Sequence, residues 1–161
     1  MNQPLYTPEQ RRRRDQSPWT WVQGVLAPAQ FLVFLISLVL VLRTLTTSQG
    51  YTVAAASIVI KTGFLYAIMI TGAIWEKAVF GVYLFARPFF WEDVFSMAVL
   101  ALHTAYLAVL FTGAIDPQGQ LLLALAAYAT YVVNAAQFVL KLRAARRQDP
   151  IGAVSMAGVA K

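Results

Sequence analysis

The run VQGVLAPAQFLVFLISLVLVL, from Val22 to Leu42, contains no charged residue. A helix rises 1.5 Å per residue, so about 20 apolar residues cross the roughly 30 Å hydrocarbon layer of a bilayer. Lipid offers no hydrogen bonds to a bare backbone, which leaves the helix as the form such a run takes there. Pro28 predicts a bend near its start. Three more runs of the same kind lie downstream. Thr52–Trp75 is interrupted by one charge, Lys61; Val94–Gly113 holds His103; Gln120–Leu140 is uncharged. Short connections, Arg43–Tyr51 and Ile115–Gly119, join the first to the second and the third to the fourth, and the Pro and Gly of IDPQG (115–119) are helix-stop signals. The expected fold is an all-α integral membrane protein, a four-transmembrane-helix bundle forming a single domain over 1–147. The small, polar tail 148–161 is read as disordered.

Composition agrees. Of 161 residues, 59% are hydrophobic and 12% charged, against about 25% charged in a soluble domain. The absence of cysteine excludes disulfides, thiolate-held metals and thiol nucleophiles. A net charge of +6 suggests nucleic acid until its placement is read. Arg11, Arg12, Arg13 and Arg14 precede the first run, and Lys141, Arg143, Arg146 and Arg147 follow the last. Basic clusters flanking apolar runs act as orientation signals and lipid-headgroup contacts, so no nucleic-acid partner is expected. Polar or mixed residues precede Val22 and no small-residue cleavage site follows Leu42, so the first run is expected to stay as an anchor.

Four spans place the N-terminus, the 76–93 link and the C-terminus on one side. That side carries all the clustered basic residues with Lys77 and Arg87, while the other carries Arg43. The positive-inside rule makes the first side cytoplasmic. The link from Glu76 to Asp93 is dense in aromatics: Phe80, Tyr83, Phe85, Phe89, Phe90 and Trp91. Arg87–Pro88 should break any helix there. The segment reads as an interfacial or re-entrant link, an aromatic belt with extra weight for a planar ligand.

Ionisable groups at membrane depth are costly and are functional candidates by default. Lys61 and His103 each lie near the middle of a run. Glu92, Ser96 and His103 share one helical face; Lys61, Leu65, Gly72 and Glu76 share another. The last run offers Tyr128, Tyr131, Asn134 and Gln137. The expected picture is a polar cavity opening toward the link. Blander readings stand beside it: His103 as an interhelical hydrogen-bonder, Lys61 paired with a carbonyl or an acid, Asp93 at a helix N-terminus, Glu76–Lys77 as an interfacial ion pair. One histidine excludes a bis-histidine haem within one chain, and no phosphate loop or metalloprotease motif occurs. What remains suits acid–base chemistry without a cofactor, or a single axial ligand to a pigment metal.

Several long words of the sequence resemble those of a known family: PLYTPE (4–9), VQGVLAP (22–28), IWEKAVFG (74–81), FFWEDVFSM (89–97), LALHTAY (100–106) and AYATYVVNA (127–135). They are similar to the membrane hydratases of bacteriochlorophyll biosynthesis, the 2-vinyl bacteriochlorophyllide (chlorophyllide a 3-vinyl) hydratases, over about 4–147. The resemblance implies addition of water to the C3-vinyl group of a chlorin or bacteriochlorin, giving a 3-(1-hydroxyethyl) group, in a bacterial inner, photosynthetic membrane. It assigns no catalytic residue.

The chemistry itself asks for a general acid, a base that orients water, and negative charge beside a developing cation. Glu76 and Glu92 are the expected acid–base pair, with Asp93 third. His103 has two roles open, axial ligand to the substrate magnesium or proton relay, and the chain is expected to hold no metal of its own. Lys77 or Arg87 would hold the substrate propionate; Lys61, Tyr128, Tyr131 and Asn134 are pocket candidates. The competing expectation is a subunit that binds or assembles chlorophyll without transforming it, for which three acids beside the slot have little use. Self-association is left open by the outer faces of four small helices.

Overall fold

The computed structural model describes residues 5–159, with side chains for residues 5–146. The tail 148–161 falls outside the residues described with side chains. The described residues form five α-helices: α1 Pro8–Gln16, α2 Pro18–Thr47, α3 Tyr51–Phe80, α4 Phe90–Thr112 and α5 Pro117–Val159. A 3-10 turn, Arg87–Phe89, leads into α4. Four of the helices are long and apolar enough to cross a membrane.

The long helices run past the apolar stretches that announce them. α2 begins at Pro18, where a proline loses nothing because the first helical N–H has no partner. Pro28 stays inside α2. α3 continues five residues beyond Trp75, until Gly81 (φ 84°) takes the left-handed conformation that ends it. α4 starts at Phe90, not at Val94, because Pro88 sets the preceding turn. Ser48 (φ 56°) and Gly50 (φ 83°) turn the chain sharply between α2 and α3. The remainder of the expected link is therefore short, the segment 81–86 and the turn after it.

α1 is the element that apolar periodicity does not announce. A capping box builds its start: the Gln10 N–H donates to Thr7 Oγ1 and the Thr7 N–H to Gln10 Oε1. α1 packs on α3, and Tyr6 just before it is buried, stacked 5.8 Å from the Phe80 ring.

α2 packs chiefly on α3 and α4 on α5, and the two pairs close into one bundle. Phe34, Val41, Ile58, Leu65, Val99, Tyr106 and Tyr128 fill its centre, with Ala54 and Ala124 allowing close helix approach. A smaller cluster of Tyr6, Val79, Phe89 and Ala145 closes the end where the 81–89 segment lies. Outer faces carry exposed Phe31, Leu32, Ile36, Val39, Phe111, Val132 and Leu140.

Candidate functional site

The polar residues expected inside the bundle take one another as partners. Lys61 Nζ lies 2.8 Å from His103 Nε2, and His103 Nδ1 donates to the Val99 carbonyl at 2.8 Å. Both ring nitrogens are thus engaged. The Lys61 ammonium also stands 4.1 Å from the Tyr131 ring centroid and 5.5 Å from that of Tyr128. Tyr128 Oη bonds Ser37 Oγ at 2.6 Å, Ser37 reaches Ser57, and Asn134 donates to Ser96 Oγ at 2.8 Å. This network ties the four long helices together at mid-bundle.

A second polar centre lies at the end of the bundle. Glu76 sits in the last turn that the extended α3 provides, and Asp93 in the first turn of the extended α4. Both carboxyls are buried, and they face each other within hydrogen-bonding reach. Two successive backbone N–H groups of the connecting segment donate to them, Phe85 to Asp93 Oδ2 at 2.7 Å and Ala86 to Glu76 Oε2 at 3.1 Å. Phe85 itself has φ 61°, in the left-handed region that costs a residue with a side chain about 1–2 kcal/mol. The hydrogen bond to Asp93 helps hold it there. Two carboxyl groups in mutual hydrogen-bonding contact accommodate one shared proton between them, since two bare carboxylates repel.

Beside this pair is a recess of about 260 Å³ lined by Gln10, Phe80, Val82, Phe85, Ala86, Arg87 and Pro88. That is below the roughly 300–1,000 Å³ that encloses a drug-sized ligand. Tyr83, Phe85, Phe90 and Trp91 stand exposed around it, while Phe80 and Phe89 turn inward to the smaller cluster. The expected aromatic link thus divides into a packed part and an open part.

The sequence-named residues fall into these two centres. Glu76 and Asp93 come together, and Arg87 lines the recess. Glu92, expected beside Glu76, is buried against Lys141, 2.6 Å from its Nζ. Lys77 donates to the Gly81 carbonyl at 2.8 Å and lies over the Tyr83 ring. His103, Lys61, Tyr128 and Tyr131 belong to the mid-bundle network. Ten residues of helix, about 15 Å, separate His103 from Asp93, and the structure does not bring His103 to the carboxyls. Three contributors were not visible as site residues in the sequence: Tyr6 and Gln10, from a polar segment without apolar period, and Lys141, from a basic cluster. The capping-box spacing of Thr7 and Gln10 is the signal that would have located α1. Among the described residues no three His, Asp or Glu side chains cluster to hold a metal ion.

The model of the family described as 2-vinyl bacteriochlorophyllide hydratase matches residues 6–144. A 2-vinyl bacteriochlorophyllide hydratase of Cereibacter sphaeroides is 68% identical over 143 residues, 88% of this chain and 88% of the relative. One from Rhodobacter capsulatus is 66% identical over 144 residues, 89% of this chain and 84% of the relative. No solved structure matches the chain. The matched span takes in both polar centres and all of the recess.

Proposed function

The chain belongs to the 2-vinyl bacteriochlorophyllide hydratase family, and from that premise we propose that Glu76 and Asp93 are the acid and base with which it adds water to the vinyl group of a bacteriochlorophyllide. The close identity to two hydratases across nearly the whole chain carries the reaction. The buried carboxyl pair, which accepts the backbone N–H groups of Phe85 and Ala86, two residues that line the recess, supports the site.

Addition that places hydroxyl on the inner vinyl carbon begins with a proton on the terminal carbon. The vinyl π pair takes the proton of the Glu76 carboxyl, forming the new C–H bond and leaving Glu76 as carboxylate. The cation at the inner carbon is delocalised into the macrocycle, and the carboxylates beside it stabilise it. Water attacks that carbon and gives its surplus proton to Asp93. Transfer of that proton from Asp93 to Glu76 along their contact restores the starting state, so vinyl and water are consumed and nothing else is. Phe80, Phe85 and Pro88 keep bulk water from the cation, and Arg87 is placed to hold the substrate propionate.

The four long helices cross the bacterial inner membrane, with both termini and the 81–89 segment on the cytoplasmic side. In that placement the recess opens at the interface, where a tetrapyrrole lies with its ring in lipid and its carboxylate near water. The experiment is an absorbance scan of vesicles holding the purified chain with a 3-vinyl bacteriochlorophyllide. Loss of vinyl conjugation moves the red band to the blue. An unchanged band with bound pigment would leave a carrier in place of an enzyme.

A further inference from the structure

Lys141 sits in the basic stretch after the last apolar run, where its position suggests a topology signal and no more. The structure turns it inward. Its Nζ is 2.6 Å from Glu92 Oε2, donates to the Pro88 carbonyl and lies 5.3 Å from the centroid of the Phe89 ring. The side chain of Glu92 is 8% exposed and that of Lys141 25%. Glu92 is the sequence neighbour of Asp93, so the ion pair stands beside the acid–base pair. On α3, Lys77 is turned to Gly81 and Tyr83; on the 3-10 turn, Arg87 is exposed at the recess; on α1, Arg14 lies over the Tyr6 ring. Three buried carboxyls therefore lie at the ends of α3 and α4, Glu76 beside Asp93 and Glu92 turned to the Lys141 ammonium.

We propose that Lys141 is a positioning residue for the hydration: by holding Glu92 as an ion pair it removes the third carboxyl from competition and keeps the transferable proton on Glu76 and Asp93. This rests on the reading of that pair given above. Lys141 does not line the recess and acts through Glu92 and the Pro88 carbonyl. A buried carboxylate stripped of its partner is strongly unfavourable. Without Lys141, Glu92 would draw a proton to itself, and the Glu76–Asp93 pair would lose what it needs for the first step.

The test compares Lys141→Met, Lys141→Arg, the double variant Glu92→Gln/Lys141→Met, and Glu76→Gln, each as full chain in lipid vesicles. Lys141→Met is expected to lower kcat about tenfold or more, the scale felt when a partner one shell out is lost, with KM changed less than about threefold. Lys141→Arg should keep most of the turnover, since it keeps the charge. The double variant should recover most of what Lys141→Met loses, because the orphaned carboxylate is gone. Wild-type turnover in Lys141→Met overturns the proposal. So does a double variant no better than the single, which would make Lys141 a mechanical clamp. If Lys141→Met does not fold, the double variant decides: active supports the proposal, inactive overturns it. Glu76→Gln separates the two readings. Should it hydrate normally, the acid–base pair itself is wrong; should it be inactive while Lys141→Met is normal, Lys141 alone is misassigned.

Discussion

A carboxamide cannot deliver a proton to carbon, so Glu76→Gln and Asp93→Asn should bind pigment and lose turnover, each by about 10²–10⁴-fold. Binding and hydration measured separately on the same membranes check this; a variant that hydrates at the wild-type rate removes its residue from the chemistry. Lys61→Met tests the other centre. It leaves His103 Nε2 buried without a partner, which costs about 1–3 kcal/mol. The variant should therefore melt earlier than Ile36→Met on the exposed outer face, and equal melting would place Lys61 outside the network. His103→Ala is expected to lower stability and leave the bound pigment spectrum unmoved, because Lys61 holds the nitrogen a magnesium ion would need. A shifted spectrum would mean that Lys61 leaves and the ring ligates. Lys61, His103 and the carboxyls were legible in the sequence because a polar residue in an apolar run stands out. Which carboxyl faces Glu76 was not. Glu92 and Asp93 lie about 100° apart on the helix, and the choice depends on where α4 begins and on the Lys141 partner supplied by α5.

At the scale of the element, the segment 81–86 carries strain that its two carboxyl contacts offset. Phe85→Gly relieves the left-handed φ and at the same time removes an aromatic wall of the recess. Thermal stability should hold or rise, by up to about 1 kcal/mol, while affinity for the pigment falls. Melting curves and pigment titration on one sample check both; a drop in stability with binding intact would show that the ring packs more than it binds. The helices themselves could be read from apolar runs, but their ends could not. Glu76, Lys77 and Phe80 look like loop in a hydropathy reading, yet α3 carries them as helix until Gly81 stops it. α1 escaped because its stability comes from caps and from Tyr6 docking on Phe80, neither of which leaves an apolar period.

At the scale of the whole molecule, the orientation proposed above rests on the basic residues alone. Gln16 and Gln49 are exposed at opposite ends of α2, so cysteines placed there should label from opposite sides. Labelling at Gln49→Cys by an impermeant reagent from the periplasm, with Gln16→Cys protected until the membrane is broken, is the expected pattern; the reverse would invert the protein. Helix length then has a mechanical meaning. α2 and α3 have 30 residues each, about 45 Å of helix against a hydrocarbon layer of about 30 Å. In the proposed membrane placement the excess would tilt or stand among the headgroups, an arrangement sensitive to hydrophobic mismatch. In the membrane placement proposed above, Glu76 rides at the end of that overhang, so the thickness of the bilayer would decide how deep its carboxyl sits relative to a pigment whose own depth is set by its ring and its propionate. Hydration rates in vesicles of increasing acyl length should pass through a maximum, with the lipid acting as a ruler that brings the vinyl group level with the carboxyls or leaves it short of them.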